Sequence, residues 1–281
     1  MGARRPFAVH RLALALSLLL IACTTQPAGD PTPAPGFEPT QPAPLLDIGS
    51  TPQLDEAQPT PRQGPDHNIV LPDIAVSPPR ELYVQATATG RELRFSTTVS
   101  NVGEGPLEIL GSFEDETGRA IATQLIHRRE GSPLAHPLGT LDFDGGHGHW
   151  HTQDFVIFEL WSYAEDGALE ELLASTGKIG FCLLDFTRVD PAPPYVADLP
   201  LFDECHWTRQ GLSPGWQETY AAYLPGQELD ISDIPDGRYV IKTILDPENR
   251  IIDASRLNTT VAVFVELSGT SIRVLEPASE R

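Results

Sequence analysis

Polar and apolar residues alternate in many short stretches of this chain. Residues 81–87 and 92–100 follow this period of two, which is typical of strands with one buried face. Residues 154–163 are rich in aromatic and β-branched side chains, and Gly/Pro-rich turns separate the apolar segments. Only residues 169–175 suggest a turn or two of helix. The pattern predicts an all-β fold: a single β-sandwich-like domain with long loops over residues 67–276.

Two segments of different composition precede the predicted domain. Residues 1–22 join a basic start to an apolar run that is short for a bilayer, as in an export signal. Cys23 follows Leu-Ile-Ala, which resembles a bacterial lipobox and implies a diacylglycerol anchor; the alternative is an ordinary secretory signal with an incidental cysteine. Residues 23–66 hold eleven prolines and predict an extended tether. We expect an exported, membrane-anchored bacterial lipoprotein, either periplasmic or at the cell surface.

The charge balance restricts the partners. Acidic residues outnumber basic residues by 39 to 19, which gives a formal net charge of −20. Nucleic acid binding needs a basic footprint, so we expect no nucleic acid partner. The acidic surface is explained by solubility, and less strongly by cationic substrates.

The motif with the clearest chemistry is Asp-Gly-Gly-His-Gly-His-Trp-His, residues 144–151. Imidazole is the commonest side-chain metal ligand near neutral pH, and alternate residues of an extended segment share one face. On a straight strand the outer two Cβ atoms would lie about 13 Å apart, so the chain must bend there, and the glycines permit a bend. We predict that His147, His149 and His151 bind one metal ion; the alternative is a His-rich surface stretch without a specific ion.

The two remaining cysteines are Cys182 and Cys205. Export would place them in an oxidising compartment, where an even pair usually forms a bridge. Closing that loop would contribute about 3 kcal/mol on the chain-entropy model. Metal binding by this pair is less favoured, because its separation is longer than the short spacing of zinc knuckles.

Three blocks together resemble the lysyl oxidase family. They are the histidine motif continued through Thr-Gln-Asp154-Phe, the block Gly-Lys178-Ile-Gly-Phe-Cys182, and the block Gly-Leu-Ser-Pro-Gly-Trp-Gln-Glu-Thr-Tyr220 with the Leu-Pro-Gly-Gln-Glu-Leu-Asp that follows it. The resemblance covers roughly residues 68–265, and several ordered blocks match with compatible spacing, which isolated short motifs would not do.

The resemblance implies a copper-dependent amine oxidase. In that family three alternating histidines bind one Cu(II) ion, and a lysine and a tyrosine, here Lys178 and Tyr220, form the covalent cofactor lysyl tyrosylquinone. The implied reaction uses O₂ to deaminate primary amines, either peptidyl lysine or small amines, to aldehydes with release of hydrogen peroxide and ammonia. Cys182 and Cys205 match the positions of a family disulfide.

Elementary chemistry agrees with these assignments. Three imidazoles with open positions suit Cu(II), and a bridge at Cys182 would tie the two precursor segments together. The Lys178 amine reacts only when neutral, so we expect burial to lower its pKa. Asp154 is predicted to orient a ligand imidazole in support of catalysis, with an ordinary strand-edge acid as the alternative. Asp144 and His206 are weaker polar candidates.

Calcium is a further candidate cofactor. Animal members of the family have more disulfides, and their calcium site uses an acidic residue near the start of the domain and an acid-rich segment near its end. Here Asp73 fits the first position, and Asp253 and Asn258 fit part of the second, whereas Ser255 and Thr259 replace an expected acid and amide. Calcium takes six to eight oxygen ligands, so this set is incomplete.

Other functions stay open on the sequence. The chain could be a surface lipoprotein that binds copper without forming a quinone. It could be a zinc hydrolase in which Asp154 serves as the base for a metal-activated water. A cupin-type iron site is less favoured, because only one histidine cluster is present.

Overall fold

The computed structural model describes residues 68–114 and 119–275. The expected signal segment 1–22, the adjoining tether 23–66 and the lipidation candidate Cys23 all lie outside these residues and stay predictions. Among the described residues, no helix has the length and apolar character needed to cross a membrane.

The described residues form β-strands joined by turns and loops, without an α-helix, which confirms the all-β prediction. In chain order the strands are β1 (Ile69–Val70), β2 (Ile74–Val76), β3 (Arg80–Ala86), β4 (Arg91–Asn101), β5 (Leu107–Glu114), β6 (Arg119–Arg128), β7 (Leu134–Asp144), β8 (His149–Tyr163), β9 (Leu169–Phe181), β10 (Thr187–Arg188), β11 (Arg209–Leu212), β12 (Trp216–Tyr220), β13 (Glu228–Asp230), β14 (Gly237–Leu245), β15 (Thr260–Ser268) and β16 (Ser271–Val274).

The strands pair antiparallel in two sheets. The larger sheet has the order β11-β5-β6-β7-β8-β14-β15-β16, with β1 against β6 and β9 against β8. The smaller sheet has the order β10-β12-β4-β13, with β2 and β3 also against β4. Phe95 of β4 meets Phe158 of β8 edge-on, with ring centroids 4.8 Å apart, and both side chains are fully buried. The two sheets therefore share one core, as expected of a sandwich.

The prediction of a helical turn at residues 169–175 is wrong. These residues begin β9, which returns antiparallel along β8 after a turn in which the Ala164 N–H donates to the Ala168 carbonyl at 2.9 Å. The register shifts several times between the two strands. Pairing with β8 satisfies the backbone of this segment, and it overrides the helix propensity of its leucines and glutamates.

Glu218 is a core carboxyl group with an oxygen that has no hydrogen-bond partner among the described residues. Glu218 on β12 is 8% exposed, and its Oε2 is unpartnered within the described part of the chain. Alternate residues of β12 are buried, so Glu218 shares the inward face of the strand with Trp216 and Tyr220. Burial raises the pKa of Glu218 to about 8, and the group is therefore mostly neutral at pH 7.

We expect Glu218→Gln to flatten the dependence of stability on pH. The unfolded carboxyl ionises near about pH 4.3, whereas the folded one keeps its proton to about pH 8. The wild type therefore loses stability as pH rises through this window, by at most about 1.4 kcal/mol per pH unit. Urea unfolding at pH 5 and pH 8 measures the slope. Exposed Glu170→Gln is the control, and equal slopes in all three proteins would contradict this account.

Candidate metal centre

The histidine motif lies in the hairpin that joins β7 to β8. Asp144 ends β7 and pairs across the ladder with His149, the first residue of β8. The Gly148 N–H donates to the Asp144 carbonyl at 2.7 Å, and Gly148 adopts a φ of +76°, which glycine tolerates without a Cβ clash. The bend expected from the sequence is therefore this turn, which brings His147 to the other two histidines.

The three imidazoles converge on one point. His147 Nδ1 lies 3.1 Å from His151 Nε2, and His149 Nε2 lies 3.0 Å from the same atom. The three nitrogens are all within 4.8 Å of one another. Metal–nitrogen bonds of about 2.0–2.1 Å place two adjacent ligand nitrogens about 2.9 Å apart at a right angle. The donor set therefore fits a single ion, and three nitrogens with open positions suit Cu(II).

The outer nitrogens of two imidazoles have acceptors that orient the rings. His147 Nε2 lies 3.0 Å from the Pro225 carbonyl, and His151 Nδ1 lies 3.5 Å from Asp144 Oδ2. A proton on each outer nitrogen leaves the inner lone pair free for a metal. Asp144 Oδ1 also accepts the N–H groups of Gly146 at 2.8 Å and His147 at 3.0 Å. Asp144 thus supports both the turn and a ligand.

Burial favours the neutral form of two of the imidazoles, those of His149 and His151. It lowers the pKa of His151 to about 4, against the opposing charge of Asp144. Burial also lowers the pKa of His149, and positive charge on His147 acts in the same direction. Burial would raise the pKa of Asp144, but the amide hydrogen bond from His147 and the charge of His151 outweigh it, so that pKa is lowered. Near neutral pH the site therefore combines neutral imidazoles at His149 and His151 with an ionised carboxylate at Asp144.

Tyr220 reaches the histidines from the smaller sheet. Its ring is 3% exposed and stacks on Phe181, with centroids 3.8 Å apart. Its hydroxyl oxygen accepts the Cys182 N–H at 2.8 Å and lies 3.3 Å from His151 Nε2 and 3.5 Å from His149 Nε2. Tyr220, which the resemblance links to cofactor formation, is therefore in contact with the histidine cluster.

The surroundings of Tyr220 favour a protonated phenol. Burial raises its pKa, and the negative charges of Glu218 and Asp144 raise it further. The hydrogen bond from the Cys182 N–H lowers the pKa of Tyr220, but the net shift is still upward. A cation among the three imidazoles would reverse this balance, since a bound metal is the largest local charge in such a site.

The predicted disulfide is present beside this cluster. Cys182 follows β9 and is bridged to Cys205, with Cα atoms 5.6 Å apart. The Trp150 N–H, between two of the histidines, donates to the Cys205 carbonyl at 3.2 Å. The bridge therefore lies against the start of β8 as well as against Tyr220.

Lys178 lies on β9, opposite Ile157 of β8, and is held by carboxylates. Its Nζ pairs with Glu248 and lies 3.8 Å from Asp154 Oδ2, and the side chain is 37% exposed. The hydrogen bond to Glu248 is the main reason that the pKa of Lys178 is raised. The expectation that burial lowers this pKa is therefore wrong.

Asp154 takes a different position from the one expected. It has a φ of +56°, and its Oδ2 accepts Arg250 Nη2 at 2.8 Å. The carboxylate beside a ligand imidazole is instead that of Asp144, the weaker sequence candidate. His206 Nδ1 lies 2.8 Å from Thr208 Oγ1, and no contact of His206 with the imidazoles is found among the described residues.

Three groups at the site were missed by reasoning from the sequence. They are the Pro225 carbonyl beside His147 and the side chains of Glu248 and Arg250, which pair with Lys178 and Asp154. Pro225 belongs to the Leu-Pro-Gly turn that the resemblance had already marked. Glu248 and Arg250 lie in a loop 70 or more positions from Lys178, so no local pattern indicated the contact.

The three residues considered for calcium, Asp73, Asp253 and Asn258, lie close together. Asn258 Nδ2 donates to Asp73 Oδ1 at 2.7 Å, while Asp253 Oδ1 accepts the N–H groups of Ile74 at 3.2 Å and Ala254 at 2.9 Å. Asp253 Oδ2 and Asn258 Oδ1 are buried without a partner in the described part of the chain. Burial raises the pKa of Asp253 to about 7. Buried, unpartnered oxygens near a second carboxylate fit a hard cation.

Known proteins are similar to part of this chain. A family model described as lysyl oxidase matches residues 132–276. Lysyl oxidase homolog 1 of Homo sapiens is 30% identical over 134 residues, which are 47% of this chain and 21% of that protein. Protein-lysine 6-oxidase of Rattus norvegicus is 29% identical over 47% of this chain and 30% of its own length. Lysyl oxidase homolog 3B of Danio rerio is 25% identical over 185 residues, 66% of this chain and 18% of that protein. The chain therefore matches less than a third of each relative.

We expect Asp144→Asn to weaken copper binding about 10- to 100-fold, the usual effect of losing an outer partner of a ligand histidine. The neutral amide no longer attracts the His151 Nδ1 proton, although its oxygen can still close the turn. Asp154→Asn is the matched control, because the two carboxylates are 37% and 35% exposed and only Asp144 faces an imidazole. Competition with a chelator measures both affinities. Equal losses in the two variants would contradict the assignment.

Proposed function

This chain belongs to the lysyl oxidase family, and from that premise we propose that it is a copper-dependent amine oxidase whose lysyl tyrosylquinone is made from Lys178 and Tyr220. Its substrates are primary amines and O₂, and its products are an aldehyde, hydrogen peroxide and ammonia. The name protein-lysine 6-oxidase, carried by the Rattus norvegicus relative, favours peptidyl lysine as the amine, with small amines as the alternative.

The observation that supports the proposal most strongly is the position of the Tyr220 hydroxyl. It lies 3.3 Å from the nitrogen at which the three imidazoles converge, although it comes from the opposite sheet. A purely structural metal site does not require a buried phenol near the ligands. Oxidation of a tyrosine does require that its phenol lie beside the metal.

His147, His149 and His151 would hold the copper. Bound copper and the quinone would together supply the redox chemistry that carries electrons from the amine to O₂. The protein's own groups do the positioning. Phe181 fixes the plane of the Tyr220 ring by stacking, and the Cys182 N–H fixes its oxygen.

Lys178 has a separate constraint. Its amine must be neutral to form a bond to an oxidised tyrosine ring, but here Glu248 and Asp154 hold it as an ammonium ion. Coupling therefore requires that Lys178 leave this ion pair. We propose that Glu248 and Asp154 hold Lys178 until coupling.

The alternatives have less support from the geometry. A zinc hydrolase needs a base at the metal-bound water, and Asp154, the proposed base, is instead paired with Arg250. A copper-binding lipoprotein without a quinone needs the histidines but has no use for Tyr220 beside them. Both alternatives make the contact between Tyr220 and His151 incidental.

The remaining parts of the proposal concern location and calcium. We propose that the chain is exported and anchored to a membrane through a lipid on Cys23, with no nucleic acid partner. Calcium is proposed at Asp73, Asp253 and Asn258, on the strength of the buried, unpartnered oxygens of the last two.

Peptide mass mapping of copper-loaded protein after full reduction tests the oxidase proposal. We expect a peptide with Lys178 still joined to the peptide with Tyr220, together with visible quinone absorbance and peroxide release on addition of a primary amine. The bond persists after reduction because it is not a disulfide.

Two variants serve as controls for that experiment. Lys178→Arg and Tyr220→Phe should each bind copper at the histidines but give no crosslink and no quinone absorbance. If the wild type yields both peptides separately and releases no peroxide, the chain is not this oxidase. Zinc in the purified protein, again without peroxide, would favour the hydrolase.

We further expect Glu248→Gln to speed formation of the quinone. The hydrogen bond to Glu248 raises the pKa of Lys178, so removing the charge increases the neutral amine fraction at a given pH. The growth of quinone absorbance after copper addition should be several-fold faster near pH 8 and should converge with wild type at high pH.

Glu266→Gln is the control for Glu248→Gln. Glu266 is also a glutamate with a lowered pKa, and its side chain is 33% exposed against 41% for Glu248, but its partners are Arg238 and Arg273. The Glu266→Gln variant should form the quinone at the wild-type rate. A Glu248→Gln variant that is no faster than wild type at any pH would show that the ion pair does not limit coupling.

A further inference from the structure

His149 belongs to two clusters of metal-binding atoms. One is the histidine set described above. The other is the sulfur cluster, which we define as His149, Cys182 and Cys205; its ring nitrogen and two Sγ atoms all lie within 4.8 Å of one another. In the described structure the two sulfurs are joined in the bridge, which makes them poor ligands.

We propose that the dithiol form of this chain, before the bridge closes, has a second metal site for Cu(I), built from Cys182, Cys205 and His149. Every chain is synthesised with free thiols, so this form necessarily precedes the bridged one. The inference does not depend on the amine oxidase activity.

The geometry of the sulfur cluster suits one ion. Two thiolates bound to a metal at about 2.3 Å in a tetrahedral arrangement lie about 3.8 Å apart. The two Cα atoms are 5.6 Å apart, so a small rotation of each side chain provides that separation. His149 already lies within reach of both sulfurs. Two cysteines and one histidine with an open position form a known type of metal site.

The ligands of the two clusters differ in softness. Between the two oxidation states of copper, thiolates favour Cu(I), whereas the three imidazoles of the histidine set suit Cu(II). Cys182 is fully buried, and Cys205 and His149 are half-buried. Thiols bind a metal as thiolates, so binding would release their two protons.

The two sites share His149. When the same ring nitrogen serves both, the histidine set lacks one ligand while the sulfur cluster holds Cu(I). Bridge closure requires that Cu(I) first leave to solvent and that both sulfurs regain their protons; exchange with another disulfide then transfers two electrons and the two thiol hydrogens to that partner, which becomes a dithiol. Closure removes both sulfur ligands and returns His149 to His147 and His151. The bridge thus determines which site is complete.

The test is anaerobic Cu(I) titration in competition with a chromogenic chelator. The protein is full-length His147→Ala, in which the histidine set is broken but the sulfur cluster is intact. It is compared after reduction and removal of the reductant, and in the bridged form. We expect one Cu(I) per reduced chain, bound about tenfold or more tightly than to the bridged chain, with metal–sulfur distances of about 2.3 Å by X-ray absorption.

Two variants decide whether the folded cluster is responsible. His147→Ala/His149→Ala, when reduced, should bind Cu(I) about tenfold more weakly than reduced His147→Ala. Equal affinities would overturn the proposal, because any flexible dithiol would then suffice, including that of an unfolded chain. Far-ultraviolet circular dichroism of the reduced proteins shows whether the fold survives, and its loss on reduction would equally overturn the proposal.

The bridge-free variant Cys182→Ser/Cys205→Ser separates this proposal from the proposed function. With all histidines present, it should lose the tight Cu(I) site but retain Cu(II) binding at the histidine set. Tight Cu(I) binding by this variant would contradict the sulfur cluster. Failure of the wild type to oxidise amines would leave the Cu(I) result unaffected.

Discussion

The hydrogen bond from the Cys182 N–H to the Tyr220 hydroxyl connects the parts on which this site depends. Cys182 continues β9 of the larger sheet, and Tyr220 ends β12 of the smaller sheet. The bond is buried at 2.8 Å, and the stacking of Tyr220 on Phe181 reinforces it. Because neither sheet alone contains both the phenol and the imidazoles, the packing of the sandwich brings the reactive groups together.

The local features of this site could be predicted from the sequence. Alternating polarity indicates the strands, and the glycines indicate the turn that gathers His147 with the other histidines. The partners of each charged group could not be predicted in the same way. Asp154 is nearer in sequence to His151 than Asp144 is, yet Asp144 lies beside that ring because the hairpin pairs β7 with β8. Such contacts depend on strand register and on loops distant in the chain.

Burial, more than the acidic surface, controls protonation at the metal centre. The formal net charge of −20 would by itself raise imidazole pKa values, but His149 and His151 both have lowered ones. The same burial raises the pKa of Tyr220. Before metal binds, the imidazoles of His149 and His151 and the phenol of Tyr220 are therefore neutral, with Asp144 as the adjacent anion. This state is well suited to receive a cation and poorly suited to tyrosine oxidation without one.

The bridge then has two consequences that depend on the same atoms. It fixes Cys182, whose N–H positions the Tyr220 oxygen, and it removes the sulfur ligands that compete for His149. If a soft ion occupied the thiols first, the phenol would lie beside a histidine set that lacked one ligand. Closing the bridge would complete that set and stabilise the Cys182 segment in a single step. Lys178 lies four residues before Cys182 on the same continuous segment, so the event that completes the metal site also anchors the segment that carries the amine.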